Sequence, residues 1–374
     1  MKATIERAAF FKSLNHVQSV VERRNTIPIL SNILIQASGA SLSLTATDLD
    51  VEVIEKSDVS LMEDGAFTVP AHTLHDIVRK LPEGAQIQLD YHDEEARLTL
   101  SAGRSRFQLP CLPAEDFPAL SVEDLTTQFD VPSQDLMRLI DQTKFAISTE
   151  ETRYYLNGIY LHAQTDGTAS LLRAVATDGH RLARVQLPLP SGAADMPGVI
   201  VPRKAILELR RLLDDAGDAV HVSVSEAKIR FDVEGTILTS KLIDGTFPEY
   251  SRVIPVDNDK VLNVEGHDLA QAVDRVATIS TEKSRAIKLS LEDGRITLAV
   301  NNPESGSASE ELSVDYTAPA MEIGFNSKYL LDILGQINGG VAKFVFADAS
   351  SPTIISDAED EEGRALFVLM PMRV

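Results

Sequence analysis

An α+β chain of three tandem, similar domains, each a pair of βαβββ-like halves, is predicted by three features of the sequence. The first is a strand, helix, strand unit that occurs three times. Phe67-Thr68-Val69-Pro70 leads into 71–81 and then Gln86-Ile87-Gln88-Leu89; Val199-Ile200-Val201-Pro202 leads into 203–213 and then His221-Val222-Ser223-Val224; Glu322-Ile323-Gly324-Phe325-Asn326 leads into 327–337 and then Lys343-Phe344-Val345-Phe346. The second is a recurring strand end and turn: Leu44-Thr45-Ala46-Thr47-Asp48-Leu49, then 176–183 (Ala-Thr-Asp-Gly-His-Arg-Leu-Ala), then Leu298-Ala299-Val300-Asn301-Asn302-Pro303. The third is a further helix and alternating strands ahead of each such turn, which doubles the count of units to six halves. Spacings of 132 residues from Pro70 to Pro202 and 124 from Pro202 to Asn326 belong to tandem domains, because solenoid repeats run to a few tens of residues.

The helices follow from apolar residues three and four apart. They are expected over 6–25 (Phe10, Leu14, Val17, Val21), 71–81 (Leu74, Ile77, Val78, Leu81), 133–148 (Leu136, Leu139, Ile140, Ile147), 203–213 (Ile206, Leu209, Leu213), 267–285 (Leu269, Val273, Val276) and 327–337 (Leu330, Ile333, Leu334, Ile337). Pro just before a helix is favoured because its missing N–H costs nothing there. Strands of alternating pattern include Ile33-Leu34-Ile35 with Leu42-Ser43-Leu44, Gly158-Ile159-Tyr160-Leu161, and Ile287-Lys288-Leu289 with Ile296-Thr297-Leu298. Polar, turn-rich stretches near 121–128 and 255–260 divide the chain into domains at 1–124, 125–255 and 256–374. A length of 374 residues is itself too great for one core of ordinary size.

Composition narrows the setting. No run of 18 apolar residues occurs, and Met1-Lys2-Ala3-Thr4-Ile5-Glu6 lacks the apolar core of a signal peptide, so the expected location is cytoplasmic, with no membrane partner. A single Cys111 excludes a disulfide framework and a cysteine zinc site and reads as a small core residue. The net charge of −21 argues at first against nucleic acid, but its distribution reverses the sign. The six expected helices hold 16 basic and 10 acidic residues, against 19 basic and 46 acidic elsewhere. Cationic helices facing phosphates and anionic strands facing away would produce this pattern. Ordinary solvent-facing helix charge would produce it too.

Asp178 and His180 could be read as an acid–base pair, and His72, His75 and Asp76 as metal ligands. The repeat argues otherwise for the pair: the His is missing from both sister turns and the carboxylate from the third, whereas Asp and Asn both suit a tight turn. Neither a glycine-rich phosphate loop nor a nucleophile motif is present, so no enzyme activity, cofactor or metal is expected. A scaffold or small-ligand protein built on the same three domains stays open as a rival.

The chain resembles the bacterial sliding clamp family, the beta subunit of DNA polymerase III, over all 374 residues. The motifs carrying the resemblance are Thr26-Ile27-Pro28-Ile29-Leu30, Leu44 to Leu49, Arg153-Tyr154-Tyr155-Leu156-Asn157-Gly158, 176–183, Val201-Pro202-Arg203-Lys204, Phe247-Pro248-Glu249-Tyr250 and Met370-Pro371-Met372-Arg373-Val374. It implies a DNA clamp fold whose head-to-tail homodimer closes a ring around duplex DNA, helices inside and sheets outside. The interface implied joins Ile77, Leu81, Arg104, Arg106, Phe107 and Leu109 of one subunit to Ile279, Glu304 and Glu310 of the other. Gly306, Ser307 and Ser309 stand in a segment that is usually more acidic in the family.

Arg24, Tyr154 and Tyr155 match DNA-contacting positions, while His72 and Glu150 replace an Arg and a Gln there. Helix charge adds Arg79, Lys80, Arg203 and Lys204, together with Arg210 and Arg211, to the expected DNA contacts. The resemblance also implies a pocket for linear motifs of the DNA polymerase III alpha subunit, the clamp loader, other polymerases and repair proteins. Its deeper part would be Leu156, Thr177, Gly179, His180, Arg181, Leu182, Pro248, Arg252, Val253, Val368 and Met370. Its shallower part would be Arg153, Tyr155, Asn326, Tyr329, Ser350, Pro352, Pro371, Met372 and Arg373.

Overall fold

The computed structural model describes residues 1–121, 125–281 and 285–373. The expected boundary residue Asp124 and the terminal Val374 lie outside them. The order strand, helix, three strands occurs six times among the described residues. Six α-helices result: α1 (Arg7–Gln18), α2 (Ala71–Lys80), α3 (Ser133–Asp141), α4 (Arg203–Leu212), α5 (Gly266–Ala277) and α6 (Ser327–Leu334).

All six are shorter than the apolar periodicity implies. The α1 helix stops at Gln18, and the buried Val20 and Val21 continue the pattern in a non-helical turn. In α3 the Thr143 hydroxyl donates to the Leu139 carbonyl at 2.5 Å, and the chain continues as the 3-10 helix Lys144–Ala146. Likewise α4 tightens into the 3-10 helix Leu213–Asp215. For α5, Thr278 caps the helix well before 285, and residues 282–284 of the expected helix lie outside the described residues. Capping explains two of the starts: the Glu6 carboxylate accepts from the Ala8 and Ala9 N–H groups, and Asn326 from Lys328 and Tyr329. These helices hold 11 basic and 7 acidic residues, so the cationic surplus survives the corrected boundaries.

The chain forms two compact units, Met1–Met137 with Pro190–Pro197 and Lys204–Leu242, and Arg138–Leu189 with Gly198–Arg203 and Ile243–Val374. Four antiparallel sheets account for them. In the first unit a five-stranded sheet runs Ser60–Glu63, Lys2–Glu6, Gln86–His92, Arg97–Ala102, Ser105–Pro110. Beside it an eight-stranded sheet runs Thr127–Pro132, Ala219–Val224, Lys228–Val233, Thr236–Lys241, Val51–Asp58, Ser41–Thr47, Asn32–Ser38, Gly65–Pro70. The second unit has a nine-stranded sheet, Val199–Pro202, Gly158–Asp166, Ala169–Thr177, Arg181–Pro188, Ala365–Leu369, Thr353–Asp357, Val341–Phe346, Lys260–Glu265, Asp315–Tyr316. Its four-stranded sheet runs Gly306–Ser313, Arg295–Asn302, Ala286–Glu292, Met321–Asn326.

Two rules organise this list. Each half lends its leading strand to the three strands of its sister half, so Lys2–Glu6 pairs with Gln86–His92 and Gly65–Pro70 with Asn32–Ser38. In addition, the last strand of one half pairs with the last strand of another: Val51–Asp58 with Thr236–Lys241, and Arg181–Pro188 with Ala365–Leu369. Of the six last strands, Ser105–Pro110 and Gly306–Ser313 end their sheets without such a partner among the described residues. The helices cover one face of these sheets through Phe10, Leu14 and Val17 of α1, Leu74 and Val78 of α2, and Leu269 and Val273 of α5, all fully buried. Each such side chain contributes about 1.5–3 kcal/mol by leaving water.

The pairing of Val51–Asp58 with Thr236–Lys241 is braced by charge. His16 of α1 holds Glu55 through Nδ1 at 3.1 Å and Asp215 through Nε2 at 3.0 Å. Thr236 donates its hydroxyl to Glu55, and Lys12 lies 3.2 Å from Asp215. The hydrogen bond to Glu55 raises the His16 pKa above its ordinary 6.5, against the opposing effect of burial. Because the folded value is the higher one, this stabilisation is complete below the ordinary value and is lost as pH rises through the folded value. Denaturant midpoints should therefore fall between pH 6 and 8 in the wild type, and the fall should be smaller in His16→Gln; equal slopes in the two proteins would refute the brace.

Candidate functional site

The recurring turn at 177–181 resolves into hydrogen bonds. The Thr177 hydroxyl donates to the Arg181 carbonyl at 2.7 Å and accepts from the Gly179 N–H at 3.1 Å. Asp178 Oδ1 accepts the N–H groups of His180 and Arg181 at 2.9 and 3.1 Å. Gly179 sits at φ +89°, in the left-handed region that favours glycine. The carboxylate of the supposed acid–base pair is thus occupied in closing a turn and in an ion pair, with Arg181 Nε at 3.0 Å. The His180 ring stacks on Tyr329, their centroids 6.2 Å apart.

Arg181, expected in the deeper part of the pocket, closes this turn. Its guanidinium is buried, because besides Asp178 it reaches Asp332 at 2.5 Å and the Phe145 carbonyl at 2.6 Å. It also lies over the rings of Tyr329 and Phe145, at 4.3 and 5.1 Å from their centroids. A buried cation is tolerated only with its donors satisfied, and here they tie the turn to α6.

Beside the turn, Leu156, Leu182 and Val368 meet Val175, Ile200 and Phe247 in one buried apolar cluster, with Tyr155, Tyr160, Tyr250 and Ile254 packed against it. Val175, Ile200 and Phe247 were not singled out by residue type. For Val175 and Ile200 the signal is strand register, since Leu182 pairs with Val368 and Tyr160 with both Val175 and Ile200; Phe247 lies in no strand. One wall is an aromatic stack, Phe247 on Tyr160 at 4.9 Å and Tyr160 on His162 at 4.6 Å. His162, its pKa lowered by burial, holds the Tyr250 hydroxyl at 3.0 Å.

The rim is exposed: Met370 at 39%, Met372 at 37% and Val253 at 51%, with Pro248, Arg252 and Arg373 also solvent-facing. Two main-chain bonds fix the chain end. The Met370 N–H donates to the His180 carbonyl at 2.9 Å, and the Met372 N–H to the Gly324 carbonyl at 2.8 Å, with Pro371 between them. Thr353 opposite Leu369 sets Ser350 and Pro352 at this same end of the sheet. Asn326 is the α6 cap, so its side-chain oxygen is already engaged.

The expected nucleic-acid contacts divide by what already holds them. Arg24, Arg79, Lys80, Arg203 and Tyr154 are exposed, although Arg79 lies 3.0 Å from Asp76. Arg24 stands beyond the end of α1 and so is not a helix residue. Lys204 is more restrained: its ammonium contacts the Val20 carbonyl at 2.9 Å, Glu22 at 2.5 Å and Asp48 at 2.6 Å. Burial opposes its charge, but the hydrogen bonds to Asp48 and Glu22 prevail and raise its pKa. The His72 ring nitrogens meet Gln18 at 3.1 Å and the Val21 carbonyl at 3.0 Å, which joins α2 to α1. The Glu150 carboxylate receives the Arg153 guanidinium at 2.7 Å. No group of three His, Cys, Asp or Glu able to hold a metal occurs among the described residues. Burial also pushes the Cys111 thiol up to about 11.

Of the expected interface residues, Arg104, Arg106, Phe107 and Leu109 lie on or beside the open strand Ser105–Pro110, and Glu310 on the open strand Gly306–Ser313. Ile77 of α2 and Ile279 are half-buried and Glu304 is exposed. Leu81 and Leu109 are buried within the chain, and Glu310 is already held by Arg275 at 2.5 Å.

Three family models match in series: DNA polymerase III beta subunit, N-terminal domain over residues 1–121, central domain over 130–249, and C-terminal domain over 251–373. This chain belongs to the DNA polymerase III beta subunit family and is a DNA sliding clamp. The beta sliding clamp of Caulobacter vibrioides is 57% identical over 374 residues, and that of Pseudomonas aeruginosa 43% over 375, each alignment covering all of both chains. Among solved structures, a Caulobacter crescentus sliding clamp aligns over the whole of both chains with a TM-score of 0.94 at 57% identity. A Bartonella birtlesii clamp bound to griselimycin does so with 0.97 at 51%.

The clamp's turn yields a direct test. A Cβ on Gly179 would lie 2.6 Å from an Arg153 guanidinium nitrogen, on a backbone that L side chains rarely adopt. Gly179→Ala should cost about 1–2 kcal/mol, mainly through that backbone. A melting curve that coincides with the wild type would show that the turn relaxes freely.

Proposed function

We propose that two copies of the chain close head to tail into a ring around duplex DNA and slide along it as a non-catalytic processivity factor. The observation that carries this reading is the odd pair of last strands. Four of the six are satisfied by one another within the chain, leaving Ser105–Pro110 and Gly306–Ser313 with free ladder groups among the described residues. Unpaired strand edges seek a partner. If the two ends obey the same pairing rule between subunits, a heterologous contact forms, and two such contacts close a ring. Charge favours the match, with Arg104 and Arg106 at one edge and Glu304 at the other, beside Glu310 and Glu311, which Arg275 and Arg295 already pair.

Within the ring we place the cationic helices inward and the sheets outward, the domains dividing at 1–124, 125–255 and 256–374. Arg24, Arg79, Lys80, Arg203, Tyr154 and Tyr155 make sequence-blind contacts to DNA, since contacts to phosphate carry no base information. Lys204 and His72 support that surface from behind, and Glu150 weakens it locally. Retention comes from closure, so individual contacts can stay weak enough for sliding. The cluster around Leu182 and its methionine rim then serve as the docking pocket for linear motifs of the DNA polymerase III alpha subunit, the clamp loader, other polymerases and repair proteins. Unbranched, polarizable Met370 and Met372 suit a rim that must accept several partners.

Loaded on nicked circular DNA, the protein should be retained, and linearisation should release it through the free ends. Light scattering should give twice the 40.8 kDa chain mass. Equal retention on both DNA forms, or a monomer at micromolar concentration, would eliminate the ring. Removal of the last five residues should abolish motif-peptide binding and leave the dimer mass unchanged; a truncated protein that runs as a monomer would contradict the separation of docking from closure.

A further inference from the structure

The docking turn has a twin in the first unit. Thr47, Asp48, Leu49, Asp50 and Val51 stand where Thr177, Asp178, Gly179, His180 and Arg181 stand in the second. The Thr47 hydroxyl donates to the Val51 carbonyl at 2.9 Å, and Asp48 Oδ1 accepts from Asp50 and Val51 at 2.9 and 2.7 Å. Leu49 occupies the left-handed position at φ +80°. The strands that follow keep one register: Glu52 faces Thr239 as Leu182 faces Val368. The Lys241 N–H donates to the Asp50 carbonyl at 2.8 Å, as that of Met370 does to His180 at 2.9 Å.

This register, extended from Asn32 and Gly158 to Leu30 and Leu156, assigns a counterpart to five residues of the apolar cluster, and the Phe117-Pro118 and Phe247-Pro248 match in sequence assigns the sixth. Leu156, Val175, Leu182, Ile200, Phe247 and Val368 become Leu30, Thr45, Glu52, Thr68, Phe117 and Thr239. All six counterparts are buried, yet four are polar. The Thr68 hydroxyl is committed to the Leu112 carbonyl at 3.1 Å. Glu52, 3% exposed, accepts the Leu120 N–H at 3.1 Å. Burial raises the Glu52 pKa, and the Leu120 hydrogen bond only partly opposes it.

Leu120 is three residues past Phe117, just as Tyr250 is three past Phe247. In the second unit that segment is held through a side chain, the Tyr250 hydroxyl on His162, and no main-chain bond of Tyr250 reaches the apolar floor among the described residues. In the first unit a main-chain N–H is stapled directly to the carboxylate standing at the Leu182 position.

We propose that Glu52 is a specificity-determining residue that keeps the internal twin shut, so that each chain offers one docking pocket for apolar peptides and not two. The inference rests on the docking reading above. A carboxylate in the floor would be stripped of its hydrogen bond by any apolar ligand side chain, which is unfavourable. The staple also fixes 117–120 across the floor.

The probe is griselimycin, which the Bartonella birtlesii clamp binds, counted per full-length chain by native mass spectrometry while amide exchange reports on Leu120. The wild type should bind one molecule per chain and exchange slowly at Leu120. In Glu52→Leu/Thr239→Val the Leu120 amide should exchange about tenfold faster, as a locally released segment does, and a second molecule should bind. Glu52→Gln, which keeps the acceptor, should stay at one. The reciprocal Leu182→Glu should lose the single site and slow exchange at Tyr250, a readout that stands even if the double variant does not fold. A folded double variant that still binds one molecule, or whose Leu120 exchange is unchanged, overturns the proposal; so does Leu182→Glu with docking intact. A wild type that binds none strikes the docking reading instead, and the exchange at Leu120 still decides the latch.

Discussion

A β-strand that ends a sheet leaves a row of N–H and C=O groups unpaired, and the architecture of this clamp is a response to that constraint. The leading strands cross to sister halves, which ties each domain together by ladder bonds. Last strands then find one another across domain boundaries, and continuous eight- and nine-stranded sheets result. Compact units consequently do not coincide with family domains. The central domain contributes half of its strands to each unit, because its last strands are paired into the sheets of its two neighbours.

The same logic locates the functional surfaces. Sheet junctions bring the ends of distant segments together, and the proposed docking surface lies at one junction, where Arg181–Pro188 meets Ala365–Leu369. Its rigidity has an electrostatic origin: the Arg181 guanidinium, satisfied by two carboxylates and a carbonyl, locks the turn on which the rim depends. The other junction, between Val51–Asp58 and Thr236–Lys241, carries the same turn but is polar inside and cross-linked by His16, Glu55 and Asp215. Duplication supplied two frames, and side-chain polarity separated their uses.

Much of this was legible in the chain. The threefold spacing of Pro70, Pro202 and Asn326 marks the domains, and the Thr-Asp pairs at 47–48 and 177–178 mark equivalent turns before any coordinates are considered. Helix existence was legible from apolar periodicity, but helix length was not. Val20 and Val21 bury themselves in a turn with the spacing that a helix would give them, so pattern alone cannot distinguish the two. Lys204 shows the limit for charge: beside Arg203 it reads as another free cation, while Asp48 and Glu22, far away in sequence, engage it.

By itself, the sequence determined the repeat, the turn chemistry, the cationic bias of the helices and the family, because each depends on residues near one another in the chain or on the chain as a whole. Only the tertiary structure decided which strands join across domains, that the Arg181 guanidinium is buried and ion-paired, and that Glu52 lies opposite Thr239 as Leu182 lies opposite Val368. Those outcomes depend on register between segments some 190 residues apart, and hydrogen-bond pairing at that distance is set by where the whole sheet closes, which no local pattern records.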